Sequence, residues 1–175
     1  MPPVRVVTTR SGTGVELGDL RDDERPALFD LFADVVARGD GFPHRPPLTT
    51  SDFDATWGPQ LAAVVAARVD GSLAGAYHLK PNFIGRAAHV ANAGYVVDRT
   101  RRGQGIGRAL VEDSLAQARA LGFDAMQFNL VFESNPARRL YESLGFSVTG
   151  RVPDAVGGED AVIYWRSLAD QAEGK

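Results

Sequence analysis

The 175-residue chain contains no cysteine. Disulfide staples, a thiolate nucleophile and cysteine-ligated metal sites are therefore excluded. Histidine is scarce too, and His44, His78 and His89 lie too far apart for a close-spaced metal motif. Neither sign of charge dominates, with 19 Lys and Arg against 22 Asp and Glu for a net charge of −3. The basic footprint of a nucleic-acid binder is missing. No apolar run approaches the roughly 20 residues of a membrane span. Met1-Pro2-Pro3-Val4-Arg5 also opens without the apolar core of a secretion signal. These absences leave the expectation of a cytosolic, cofactor-using protein with no metal, no nucleic-acid partner and no membrane contact. The length suits one domain, taken as residues 1–175, with enough chain to bury a core.

Glycine, by contrast, is abundant, and Gly103, Gly105 and Gly107 alternate. They follow the apolar strand ending Tyr95-Val96-Val97 and precede an amphipathic helix predicted over Arg108 to Leu121. Alternate glycines strip the Cβ atoms from a tight turn, so several backbone N–H groups can point inward together. The first turn of the helix adds unpaired N–H groups and the positive end of its dipole. Strand, glycine turn and helix N-terminus make a cradle for a phosphate or pyrophosphate, with Arg101 and Arg102 at its rim. A P-loop would need Lys-Ser or Lys-Thr after the last glycine, where Arg108-Ala109 stands. A dinucleotide fold would space its glycines at first, third and sixth positions, and these lie at first, third and fifth.

Around this unit, Val4 to Thr9 reads as a strand and Ser11 to Gly14 as a turn. Asp19 is expected to cap a helix reaching Arg38, with Leu28, Leu31, Phe32, Val35 and Val36 as its apolar stripe. The proline-rich loop Gly41 to Pro47 is a candidate substrate-facing segment, and Ser51 is expected to cap a short helix ending at Trp57. Strands over Ala62–Val69 and Ser72–Leu79 flank the hairpin signal Asp70-Gly71. Further strands are expected over 88–97, 125–132, 146–152 and 161–165, with a helix from Asn135-Pro136 to Leu144. This order gives an α/β fold: a mixed, mostly antiparallel sheet of about seven strands with helices on both faces. Its central strand-helix-strand unit should be parallel and right-handed.

Two strands expected to be buried carry amides. Asn92 lies on the strand ending at Val97, and Gln127 and Asn129 share one face of the next. Buried amides cost free energy unless hydrogen-bonded, so amides on neighbouring strands suggest a polar cleft. Gly94 within its strand suggests a bulge or a close backbone approach.

Arg102-Gly103-Gln104-Gly105-Ile106-Gly107 resembles the acetyl-CoA-binding motif of the GCN5-related N-acetyltransferases, Arg/Gln-x-x-Gly-x-Gly/Ala. The element order is also that family's, so the resemblance covers nearly the whole chain. It implies that Arg102 to Arg108, including Gln104 and Ile106, hold the cofactor's pyrophosphate, and that backbone at Tyr95, Val96 and Val97 pairs with the pantetheine arm. The segments His89 to Tyr95, Phe128-Asn129-Leu130-Val131 and Asn135-Pro136-Ala137 resemble, more narrowly, the subgroup acetylating proline analogues such as azetidine-2-carboxylate. That resemblance implies that Asn92 positions the acceptor, that Asn129 and Leu130 form an oxyanion hole, and that Asn135 contacts CoA. Arg138 and Arg139 read as an exposed helix face, with Arg138 expected near the CoA phosphates. Tyr141 matches the position of the family's proton donor.

The expected function is N-acetyl transfer from acetyl-CoA to the amine of a small amino or imino acid, by direct attack through a tetrahedral intermediate. Protein or aminoglycoside acetylation, and a non-catalytic acyl-CoA-binding module, stay open. The general base is unassigned: the glutamate that many family members place beside Asn92 is absent, and His89 and Glu133 are candidates. Family members are often dimers, so a homodimer is a further expectation.

Overall fold

A computed structural model of the chain describes residues 3–169. In chain order the elements are β1 (Arg5–Thr8), β2 (Gly14–Asp19), α1 (Arg25–Arg38), α2 (Thr50–Trp57), β3 (Ala63–Val69), β4 (Ser72–Pro81), β5 (Val90–Val97), α3 (Ile106–Ala120), β6 (Ala125–Phe132), α4 (Arg138–Ser143), β7 (Ser147–Val156) and β8 (Glu159–Ser167). The strands follow the order β1-β2-β3-β4-β5-β6-β8-β7. Strands β5 and β6 pair in parallel, whereas β1–β2, β2–β3, β3–β4, β6–β8 and β7–β8 pair antiparallel. Among the described residues no helix is long and apolar enough to cross a membrane. The chain packs as two compact units, one of residues up to Leu79 with Gly94–Ser114, the other of Lys80–Ala93 with the residues from Leu115 onward.

The first unit is built on the β1–β4 meander. The Asp70-Gly71 hairpin forms as expected, both residues having the positive φ of a primed turn, 52° and 76°. Leu28, Phe32, Val35 and Val36 of α1 bury their stripe against Phe53 and Trp57 of α2 and Ala76 of β4. Gly39, left-handed at φ 69°, ends α1. Arg68 is buried, its guanidinium held by Glu24 at 2.7 Å and by the Asp19 carbonyl at 2.9 Å. On the inner side of α3, Asp113 accepts from Arg5 Nε at 2.6 Å, from Arg5 Nη2 at 2.7 Å and from the Tyr77 hydroxyl at 2.7 Å. This carboxylate fastens the helix to β1 and β4.

Three expectations need correction here. Among the described residues the sheet has eight strands, one more than the expected seven or so, because Gly14–Asp19 is strand β2, paired with both β1 and β3. Its alternation is short, Val15 and Leu17 facing inward, and glycines on either side hide it. Asp19 therefore ends a strand, and α1 starts at Arg25, after a single 3₁₀ turn over Asp22–Glu24. The cap of α2 is Thr49, whose hydroxyl accepts from the Asp52 amide at 3.1 Å.

In the second unit, β6 matches its expected span and the β7–β8 hairpin runs longer than expected, turning at Gly157-Gly158. Phe128, Tyr141 and Phe146 form its aromatic core, the Phe128 and Phe146 rings stacked at 4.6 Å. Regular α4 begins at Arg138, three residues later than Asn135, because Asn135 forms a side-chain turn onto the Ala137 amide instead.

Removing the Asp113 carboxylate by Asp113→Ala strands a half-buried guanidinium and a buried phenol. Chemical denaturation should show a loss of about 3 kcal/mol. Burial, and then the Asp113 charge, push the Tyr77 phenol well above its ordinary value. The raised group gives stability that is complete below the unfolded value near 10 and is lost as pH rises above it. The denaturation midpoint should fall from pH 9 to pH 11, and less steeply in Tyr77→Phe.

Candidate active site

The glycine turn comes first. Asp98 caps the single turn Arg99–Arg101 through the Thr100 amide at 2.9 Å. Gly103 and Gly105 then adopt φ of 79° and 80°, which side chains disfavour. A Cβ at Gly105 would also lie 2.8 Å from Thr9 Cβ, and the Ser11 hydroxyl donates to the Gln104 carbonyl at 2.9 Å. The β1–β2 turn thus braces the loop, a role the sequence did not reveal.

Gly107 is different. Its φ is outside the left-handed region, and a Cβ there would meet only Val97 Cγ2 at 3.9 Å. Internal packing does not require glycine at this position. The first turn of α3 offers the N–H groups and dipole that an anion takes. Arg102 is two-thirds exposed and lies 3.6 Å from Asp40, a carboxylate that also engages Arg38. Arg108 pairs with Glu112 at 3.2 Å.

In the same unit, the Tyr95 hydroxyl bonds to Ser114 Oγ at 2.7 Å, tying β5 to α3. Val96 is buried and Val97 half-buried. Gly94 is explained by a close approach, as a Cβ there would fall 2.6 Å from His78 Cε1 and 3.2 Å from Phe42 Cζ. His78 is buried with its ring edge-on to Trp57 at 5.0 Å. The loop Gly41–Pro47 packs through Phe42 and His44 against Phe32.

The second unit holds the amides. The parallel β5–β6 register covers only Val90↔Ala125 and Ala91↔Met126. Just past it, Asn92 Nδ2 donates to the Gln127 carbonyl at 3.0 Å, a side chain standing where a ladder bond would be. The β6–β8 register shifts between Phe128 and Val131, so Asn129 and Leu130 occupy a bulge. Asn129 Oδ1 accepts from Gln127 Nε2 at 3.0 Å and from Asn82 Nδ2 at 3.0 Å, while Asn129 Nδ2 donates to Asn82 Oδ1 at 2.6 Å. Asn82, in the irregular stretch after β4, belongs to no periodic pattern, and nothing in the sequence pointed to it.

Asn135 Oδ1 accepts from the Ala137 amide at 2.9 Å. Arg138 donates through Nε to the Tyr164 hydroxyl at 3.0 Å and through Nη1 to the Glu133 carbonyl at 3.1 Å. Tyr141 is buried beside Phe128, Phe146 and Tyr164. Burial first, and then Tyr164, push its phenol well above the ordinary value, so it holds its proton. The two candidate bases are engaged elsewhere: His89 Nδ1 contacts the Arg86 carbonyl at 2.9 Å, and Glu133 pairs with Arg151 at 2.7 Å.

Residues 21–146 match the model of the acetyltransferase (GNAT) family. The chain belongs to this family. A GCN5-related N-acetyltransferase from Kribbella flavida is 35% identical, with a TM-score of 0.81 over 87% of this chain and 97% of that one. N-acetyltransferase aca1 of Schizosaccharomyces pombe is 42% identical over 100 residues, 53% of this chain and 48% of that protein. The match thus spans about half of that relative's length. A GNAT-superfamily phosphinothricin acetyltransferase from Sinorhizobium meliloti, solved with AcCoA, shares the fold at 20% identity and a TM-score of 0.78 over 92% of each chain. Within the GNAT frame, the eight-stranded, mostly antiparallel sheet with one parallel pair is the family's α/β architecture.

Gly105 and Gly107 separate experimentally. Gly107→Glu, which sets a carboxylate in the proposed anion cradle, should leave the fold intact and weaken acetyl-CoA binding at least tenfold, read by calorimetry, whereas Gly105→Ala should destabilise the fold by about 1 kcal/mol or more through its left-handed backbone. Unchanged binding in Gly107→Glu would remove the glycine turn from the cofactor site.

Proposed function

We propose that this GNAT chain transfers an acetyl group from acetyl-CoA to the amine of a small amino- or imino-acid-like acceptor. The observation that carries the reading is the glycine turn leading into α3, with Gly103 and Gly105 left-handed and room where a Cβ at Gly107 would stand. The glycine turn from Arg102 to Arg108 would hold the pyrophosphate, Tyr95 to Val97 the pantetheine arm, and Asn135 and Arg138 further parts of CoA. The thioester supplies the electrophilic carbonyl and a thiol leaving group.

The chain's own groups divide the remaining work. Asn92 keeps Oδ1 available after donating to Gln127, and an amine N–H is what that oxygen would accept. The acceptor arrives as the free amine, forms the new N–C bond, and releases its surplus proton to solvent. Leu130 lies outside the paired registers of β6, and its backbone N–H, with the Asn129 amide, would meet the negative charge developing on the carbonyl oxygen. Each good donor is worth roughly 3 kcal/mol there. As the C–S bond breaks, Tyr141 offers its proton to the departing sulfur. A thiol's ordinary pKa is about 8.5, so a phenol raised by burial is the weaker acid; the transfer runs uphill, and Tyr141 takes a proton back from solvent afterwards. Tyr141 is therefore loaded with its proton throughout the working range.

Thiol release from acetyl-CoA should be measured with azetidine-2-carboxylate, other proline-like imino acids, amino acids, polyamines, an aminoglycoside and a peptide N-terminus. Turnover with the imino acids supports the proposal, and turnover with the peptide or aminoglycoside alone replaces the acceptor. Tight acetyl-CoA binding without turnover on any amine favours an acyl-CoA-binding module. In the acid role, Tyr141→Phe should slow transfer by about a hundredfold with the acetyl-CoA KM unchanged, and an unchanged rate would remove Tyr141 from the chemistry.

A further inference from the structure

A primary amide is ambivalent, since it carries two N–H donors and an oxygen with two lone pairs. The structure removes that ambivalence from Asn129. Both lone pairs of Oδ1 are filled, one by Gln127 Nε2 at 3.0 Å and one by Asn82 Nδ2 at 3.0 Å. One of the two N–H bonds is spent on Asn82 Oδ1 at 2.6 Å. A single N–H is left, so toward any ligand Asn129 is purely a donor. The two bonds exchanged by Asn82 and Asn129 close a ring, which fixes the amide against rotation about its last torsion. Asn82 is itself held, its backbone N–H donating to the Val90 carbonyl at 2.7 Å.

From this geometry we infer that Asn82 is a positioning residue for acetyl transfer: together with Gln127 it turns the Asn129 amide into a fixed one-hydrogen donor. The inference rests on the acetyltransfer reading and deepens it. Asn92 is left as an acceptor, with Oδ1 available after its N–H goes to Gln127. Asn129 is left as a donor. An acceptor and a donor on neighbouring strands match an amine nitrogen on one side and an anionic oxygen on the other. The anionic oxygen belongs either to the acceptor's carboxylate or to the reacting carbonyl.

Asn82→Ala and Asn82→Asp test this. The alanine variant frees the Asn129 amide to turn and should lower kcat/KM for the acceptor about tenfold, the equivalent of one ordinary hydrogen bond. Aspartate has asparagine's shape but cannot donate to Oδ1, and its carboxylate draws both Asn129 N–H groups to itself. It should therefore be the worse of the two. A merely structural loop residue would show the opposite ranking. The acetyl-CoA KM and the Tm should stay at wild-type values in both. In an Asn129→Ala background the Asn82→Ala loss should disappear. The side-chain NH₂ resonances of Asn129 should move in Asn82→Ala, a readout that needs no turnover. No activity in the wild type on any amine would therefore strike the acetyltransfer reading while the resonances still report the pairing. An aspartate variant as active as wild type, an undiminished Asn82 effect without Asn129, or unmoved resonances would each overturn the inference.

Discussion

Much of the first unit depends on one carboxylate. Asp113, on the inner side of α3, takes both nitrogens of the Arg5 fork and the Tyr77 hydroxyl. An ion this well covered is tolerable only because three strong donors reach its two oxygens. The consequence reaches the glycine turn. The helix fastened to β1 and β4 is the helix whose first turn carries Gly107, so the loop's N–H groups are presented from a fixed support. Thr9 and Ser11 continue the bracing from β1 to Gly105 and Gln104. An anion site made of backbone needs such rigidity, because a cradle that must first be ordered binds less tightly.

Much of this was legible in the sequence, and the reasons are local. The glycine turn declares itself because positive φ and missing Cβ atoms leave few alternatives to glycine. The Asp70-Gly71 hairpin and the span of β6 follow from equally local rules. What escaped was tertiary in origin. Strand β2 shows only two inward residues, Val15 and Leu17, and its identity comes from having partners on both sides. Gly94 signalled a close approach, but that the approach is by His78 and Phe42 depends on long-range packing.

The amides show the same division. Asn92, Gln127 and Asn129 stood out because polar side chains interrupt strands that otherwise read as buried. That Asn92 bonds the Gln127 carbonyl where the parallel ladder stops, and that β6 bulges at Asn129, are properties of strand pairing and not of either strand alone. Asn82 had no signal at all. It lies in an irregular stretch, and its meaning exists only once its side chain meets that of Asn129.

In the proposed function, backbone at the start of α3 binds the diphosphate of CoA. The most direct measurement is a titration of the backbone amide resonances with CoA, which needs neither an acceptor nor a variant. The largest shifts should fall at Gly103 to Arg108, saturating with CoA concentration. Unmoved resonances in that segment at saturating CoA, or shifts centred elsewhere in the chain, would contradict it.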